Sequence, residues 1–240
     1  MESIETLNFY IGGFFGGYER IVWQNDKIHH QFFERSFYDE AVKIAKETAL
    51  STKTDIASKE GKHLGPVVSK LQFDKIQALI QAGIEENATL VTGGTGKPDG
   101  LETGYFIKPT IFADVNNQMT VARTEIFGPV LSTVRTENYE EAIKLVNENP
   151  YGNGVAIFTR DGDAARDCVN RIQVGMVGIN VPIPVPVGYH SFGGWKQSLY
   201  GSHHIYGPDT IHFYTRLKAI TSRWPTGIKS GAQFNFPTMS

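Results

Sequence analysis

The stretch Met119 to Val130, MTVARTEIFGPV, sets an acid, an aromatic and a Gly-Pro turn directly before an apolar run, Val130 to Val134. A carboxylate at Glu125 can accept hydrogen bonds from sugar hydroxyls. A ring at Phe127 can pack on a flat heterocycle. Gly128-Pro129 then turns the backbone into the next strand. Taken by themselves, these residues also read as a plain turn carrying one isolated acid, and residue types alone favour that reading. The only cysteine, Cys168, lies in ARDCVNR, an amphipathic helical pattern far from any glycine turn. Such a cysteine is ordinarily a core or surface residue and not a nucleophile. His29-His30 lacks a second ligand pair at useful spacing and reads as a surface pair with no metal role. GGTGKPDG, residues 93–100, fails as a phosphate loop. No glycine sits five residues before Gly96, and Pro98 stands where Ser or Thr should bind magnesium. Gly12-Gly13 and Gly16-Gly17 do not fit G-x-G-x-x-G.

The bulk numbers are those of an ordinary globular chain: 240 residues, 40% hydrophobic and 20% charged. That is enough for one or two domains with a core. The net charge of −2 steers it toward neither nucleic acid nor an anionic membrane. No apolar run reaches the roughly 18 residues that span a bilayer. The apolar opening NFYIGGFFGG is preceded by Glu2 and Glu5 where a secretory signal would be positive. One cysteine excludes an intrachain disulfide and fits a reducing compartment. The Asn87-Ala88-Thr89 sequon then carries no meaning.

The elements that must position Glu125 and Phe127 follow from periodicity. Asn8 to Gly13 reads as a short strand. A helix over 36–50 starts at Ser36, with Phe37, Ala41, Ile44 and Leu50 at helical spacing. A second helix starts near Ser69, with Leu71, Ile76, Leu79, Ile80 and Ile84 on one face. A strand over Ala88 to Val91 leads into the glycine turn. Tyr105 to Val115 reads as a strand pair or a long edge strand, because Pro109 interrupts it. Then strand Val130–Val134, helix Tyr139–Asn147, strand Val155–Phe158, helix Asp163–Gln173 and strand Gly175–Asn180 alternate with short loops. This is the pattern of βαβ units on a parallel sheet, with both helices on one face. VPIPVPVG carries three prolines and must run extended over the surface or along a cleft. Thr210 to Trp224 has period-two character and reads as a long strand with no partner nearby in sequence. A strand of that kind pairs with another subunit.

Five segments in order, GYFIKPTIF, TEIFGPV, NPYGNGVAIFT, VGMVGINVPIPVP and SFGGWKQS, resemble motifs of the aldehyde dehydrogenase family. NFYIGG is similar to the start of that family's cofactor domain. TEIFGPV matches the family's EEIFGPV with Thr124 in place of the first Glu. NPYGNG with GINVPIPVP looks closest to the methylmalonate-semialdehyde branch, whose members pass the acyl group to coenzyme A. The resemblance implies that Glu125 binds the nicotinamide-side ribose of NAD or NADP and that Phe127 touches the nicotinamide. It implies an aldehyde or semialdehyde substrate. It also implies an α/β fold: a partial catalytic domain with a parallel βαβ sheet, plus a C-terminal strand, Phe213 to Trp224, that joins a neighbouring subunit in a homo- or hetero-oligomer. The division it suggests is an N-terminal remnant and unplaced segment over 1–31, a partial catalytic domain over 32–199, and an oligomerisation arm with tail over 200–240.

The family's nucleophilic cysteine sits in a G-Q-x-C-type segment upstream of the region matched by FFERSFYDE, and this chain has no such segment. The general-base glutamate segment and the nucleotide-binding domain are also missing, and residues 14–31 resemble no family segment. No catalytic residue is therefore assigned. The expectation is an aldehyde dehydrogenase scaffold, truncated and without independent activity. The alternatives are a non-catalytic module that pairs with a full-length relative, or one piece of a split enzyme. The residues that choose the aldehyde, NAD against NADP, and coenzyme A belong mainly to the missing segments. The expected location is the cytoplasm, or the mitochondrial matrix in a eukaryote.

Overall fold

The computed structural model describes residues 8–11, 30–35, 37–61, 63–181, 184–222 and 224. Two short strands come first, β1 (Asn8–Ile11) and β2 (His30–Glu34), then two helices, α1 (Tyr38–Ser51) and α2 (Lys70–Glu85). Strands β3 (Thr89–Thr92) and β4 (Thr110–Ala113) lead to a single-turn helix, α3 (Thr120–Arg123). The alternating part follows: β5 (Val130–Thr136), α4 (Tyr139–Glu148), β6 (Tyr151–Gly152), β7 (Gly154–Phe158), α5 (Gly162–Arg171) and β8 (Met176–Ile179). A short strand β9 (Trp195–Lys196) and a helix α6 (Pro208–Tyr214) complete the elements.

Seven strands form one sheet in the order β3-β4-β5-β2-β1-β7-β8, and β6 pairs with β9 in a separate two-stranded ribbon. β4, β5 and β2 run parallel, as do β7 and β8. β1 is antiparallel to both β2 and β7, so β2 and β7 share one direction. β3 is antiparallel at the far edge.

Both faces of the sheet are covered. On one face α2, α3, α4 and α5 enclose a single core in which Ile76, Ile80, Val121, Ile143, Val146 and Cys168 meet Phe112, Val130, Val134, Val155 and Ile157. On the other face α1 lays Tyr38 and Ala41 beside Ala113, and Ala45 and Ala49 beside Ile111 and Leu131. Three alanines at four-residue spacing let α1 approach the strands closely. Tyr38 is fixed from three sides. Its ring lies 3.9 Å beneath the Arg135 guanidinium, its hydroxyl sits 3.0 Å from Thr133 Oγ1, and it accepts from the Asp114 amide at 2.6 Å. Burial raises the Tyr38 pKa above its ordinary value, so the hydroxyl keeps its proton.

Helix starts follow local chemistry. Ser69, Asn138 and Asp161 each accept a hydrogen bond from a first-turn amide of α2, α4 and α5. α4 and α5 are tied by Tyr139, whose hydroxyl donates to Asp167 Oδ2 at 2.7 Å, and by Arg171, which reaches Glu140. That bond and the Arg171 cation hold the Asp167 carboxyl below the usual carboxylate range.

Four expectations change. Helix α1 begins one turn position later than expected, with Phe37 at its N-cap and no side-chain cap; Ser36 lies outside the described residues. Its buried stripe is Tyr38, Ala41, Ala45 and Ala49, leaving Ile44 and Leu50 exposed. Tyr105 to Val115 is neither a strand pair nor an edge. Its strand part is only β4, which lies inside the sheet, because the chain reaches Pro109 before ladder pairing starts. The long strand expected over Thr210 to Trp224 is instead the tail of α6 followed by residues 215–222 without regular structure. A strand needs a partner for its backbone groups, and this single chain offers none there. Gly207-Pro208-Asp209, by contrast, supplies a helix start with Pro in the first turn.

The Phe112 side chain is fully buried between α2 and α3, where its ring faces Gly83 at close contact. Phe112→Ala is expected to cost about 3–5 kcal/mol, read as a lower urea midpoint with an unchanged m-value.

Candidate functional site

The loop over residues 124–129 hangs between α3 and β5 and is fastened at every step. At its start, Thr120 donates through its amide to Glu86 Oε2 at 2.6 Å, which anchors α3 on the end of α2. Ile126 points inward and is buried in the main core. The Gln72 side-chain amide on α2 donates to the Ile126 carbonyl at 2.9 Å and to the Phe127 carbonyl at 3.0 Å. Gly128 rests on Ile76 so closely that a Cβ there would come within 2.5 Å of Ile76 Cδ1. The Pro129 carbonyl accepts from the Thr110 amide at 2.9 Å, joining the loop to β4.

This fastening fixes what the loop presents. With Ile126 taken into the core, Glu125 is left half-buried and Phe127 is 38% exposed. In extended chain successive carbonyls alternate in direction, yet Gln72 takes two in a row. The alternation breaks at Phe127, which has φ +56°. A left-handed backbone at a bulky residue costs roughly 1–2 kcal/mol. Strain of this kind is kept where the surroundings over-determine it, and such positions concentrate at functional sites. The two residues singled out by type in the sequence thus sit together on one rigid, strained loop. What sequence reading missed was Gln72. It stands more than fifty positions upstream, and nothing local marks it as the anchor.

The loop lies at the sheet edge where β5, β7 and β8 begin. At the same edge, about 20 Å away by the strand spacing, is a cavity of about 580 Å³ lined by Asn153, Met176, Val185, Phe192, Ser198 and Tyr206, among others. The Phe192 and Tyr206 rings stack at 4.6 Å with an interplanar angle of 3°. Val185 belongs to the proline-rich segment, whose residues 184–187 run without regular structure, with Val185 lining the cavity. The Gly-Gly of SFGGWKQS passes flat against Gly175, where any Cβ would meet the Gly193 carbonyl. Lys196 then caps α4 by donating to the Asn147 carbonyl at 2.9 Å and the Asn149 carbonyl at 3.1 Å, and burial lowers its pKa from the usual lysine value.

Cys168 is nowhere near either feature. It faces the core from α5, fully buried against the β7 side of the sheet. β7 is separated from β5 by β1 and β2. Burial pushes the thiol pKa up to about 12, so no thiolate forms near neutral pH. His30 lies within β2, and His29 is outside the described residues. Among the described residues no three His, Cys, Asp or Glu side chains group to hold a metal. In the 93–100 turn the Gly94 amide donates to Thr110 Oγ1 and the Gly96 amide to Gln77 Oε1, so these donors are taken up within the chain. No helix among the described residues is long and apolar enough to cross a membrane.

A mixed sheet with five of its seven strands running one way and helices on both faces, carrying an acid and a ring on a clamped loop at one edge, is an α/β scaffold of the kind that dehydrogenases use. The chain belongs to the aldehyde dehydrogenase family, whose model matches residues 27–220. Within it, the chain is 51% identical over 181 residues to a malonate-semialdehyde dehydrogenase of Pseudomonas aeruginosa, covering 75% of this chain and 36% of that protein. A Sinorhizobium meliloti protein designated a methylmalonate-semialdehyde dehydrogenase, solved with NAD, superimposes with a TM-score of 0.76 at 50% identity, over 82% of this chain and 40% of the other. A methylmalonate-semialdehyde dehydrogenase from Oceanimonas doudoroffii gives a TM-score of 0.75 at 43% identity, over 79% and 39%. The chain therefore spans well under half the length of the relatives it matches.

Native protein at pH 8 is expected to leave Cys168 unlabelled by a disulfide reagent for hours, with one thiol per chain reacting promptly in 6–8 M urea, roughly the range that unfolds small domains. Prompt labelling of the native protein would contradict the burial described here.

Proposed function

We propose that these 240 residues form the part of a semialdehyde dehydrogenase that supports one side of the dinucleotide, and that alone they oxidise no aldehyde. The observation that carries this reading is the place of the sole thiol: sealed in the core, protonated, and against β7, with two strands, β2 and β1, lying between it and the strand that follows the Glu125–Phe127 loop. In this reading the Glu125 carboxylate accepts from the ribose hydroxyls and the Phe127 ring packs on the nicotinamide. The clamped loop fits that duty, since both groups project from a backbone that cannot collapse onto the core. When bound, NAD supplies a hydride acceptor. The glycine turn over 93–100 spends its Gly94 and Gly96 amides within the chain, so Glu125 and Phe127 make half a site. The division into an N-terminal segment over 1–31, a catalytic-domain portion over 32–199 and an arm over 200–240 belongs to the same reading.

The substrate class is a small semialdehyde, as the names of the relatives suggest, and the assay follows from it. Purified chain mixed with NAD and malonate semialdehyde is expected to give no NADH above the enzyme-free rate, and Cys168→Ala is expected to change nothing. Saturable turnover that is lost in Cys168→Ala would overturn the proposal.

A second reading, a module that associates with itself or with a full-length relative, is favoured by the arm. Ile211, Phe213, Tyr214, Leu217, Ile220 and Trp224 are all largely exposed, more apolar surface than a single chain usually presents in one short segment. Size-exclusion chromatography is expected to show an oligomer that becomes monomeric when residues 210–240 are deleted. Identical elution of the two forms, scaled for mass, would exclude the arm as the contact.

A further inference from the structure

We propose that the gap between β2 and β7 is a strand-accepting slot. In this chain it is filled by β1. It can take instead a β-strand from a second polypeptide that carries the portion of an aldehyde dehydrogenase absent from these 240 residues. The inference rests on the incompleteness argued above and adds the surface through which completion occurs.

Three observations converge on the slot. The first is sequence membership. β2 and β7 lie within residues 27–220, which match the family, whereas β1, at 8–11, lies outside them. The family fold therefore has β2 and β7 but does not draw this strand from the matched region. The second is backbone accounting. Without β1, the sheet separates into a block of β3, β4, β5 and β2 and a block of β7 and β8. The facing edges would leave unpaired amides and carbonyls at the centre of the sheet. With β1 in place Gly154, Val155, Ala156 and Ile157 on β7 are all buried, and β1 is the partner of their edge on that side. Buried backbone groups are paired almost without exception, so every molecule with this sheet must fill the gap. Relatives of which this chain covers 36–40% have ample further chain to supply the strand.

The third observation is the form of the present occupant. β1 is four residues long and antiparallel to both neighbours, whereas β4, β5, β2, β7 and β8 all share one direction. Its register sets Asn8, Phe9, Tyr10 and Ile11 between Phe33, Phe32, Gln31 and His30 on one side and Phe158, Ile157, Ala156 and Val155 on the other. So short a strand makes few ladder bonds, and main-chain pairing into an open edge is an established route of peptide recognition. A longer strand with more ladder bonds has the advantage in an exchange.

The test uses the full chain and its Tyr10→Pro variant, since proline in the middle of a central strand removes a ladder hydrogen bond and is not tolerated there. Two probes are used. One is the peptide ETLNFYIGGF, the chain's own residues 5–14. The other is a set of short overlapping peptides covering the part of the Pseudomonas aeruginosa relative that this chain does not match. By hydrogen exchange, Tyr10→Pro is expected to lose protection at 30–34 and 154–157 together. The chain's own peptide, and one contiguous peptide from the relative, are expected to restore it and to bind the variant about tenfold or more tighter than the intact chain. Unchanged protection in Tyr10→Pro, or peptides that bind both proteins equally, would overturn the slot. If the variant aggregates, the intact chain decides. Binding of the relative's peptide must then expose the amides of 8–11 while 154–157 stay protected, and continued protection of 8–11 overturns the proposal. NADH formation is followed in the same samples. Turnover by the chain alone refutes the reading of incompleteness, whereas a silent chain that exchanges no strand refutes only the slot.

Discussion

The structure depends on one requirement: β5 must be buried on both faces and paired on both edges. Every residue of this strand but Arg135 is buried. Val130 and Val134 go down into the four-helix side, and Leu131 and Thr133 go up beneath α1. Its edges are occupied by β4 and β2, both parallel to it. A strand so enclosed cannot slip by one residue without sending its whole apolar set to the wrong layer. The positions of α1, α2 and the two flanking strands are therefore fixed relative to it. Arg135, the one exception, closes the end by stacking over Tyr38 and pairing with Asp39 and Asp114. These ion pairs are partly open to water and add little energy individually; their effect is to orient the ring.

The loop with Glu125 and Phe127 takes its rigidity from that strand. It is the last stretch before β5 begins, and its carbonyls are held by Gln72 from α2 and by the amide of Thr110, the first residue of β4. The layer that buries β5 thus also immobilises the loop. In open α/β sheets ligands usually gather beyond the carboxyl ends of the strands. Here the loop and the aromatic-lined cavity both sit at the opposite edge, where β5, β7 and β8 start. Such a position fits the function proposed above, in which this surface meets a dinucleotide held by other parts of a protein.

Much of this was legible in the residues. The alternation from Val130 to Ile179 shows in the sequence because its helices carry clean apolar stripes and its turns carry Asn, Pro and Gly. Ser69 marks a helix start with its own side chain. Cys168 reads as a core or surface residue of a helix, and the fold places it in the core. What could not be read is what lies between elements distant in sequence. The insertion of β1 and β2 between β5 and β7 is decided by backbone pairing and leaves no local trace. Gln72 is an unremarkable polar residue until the fold brings it under Ile126. The arm was misread because period two was weighed and Gly207-Pro208-Asp209, just outside the window, was not. Nothing local marks Lys196, and only the fold shows it capping α4.

Phe127 holds a conformation that asparagine or glycine would adopt at less cost. Its unfavourable backbone is maintained by Gln72, Ile76 and Thr110, none of which senses whether a nucleotide ever arrives. The expense is therefore permanent and is met out of the stability of the folded chain. A lineage released from binding dinucleotides would gain by letting that ring drift to a smaller residue. Under the function proposed above, contact with the nucleotide is what this standing strain at 127 would serve.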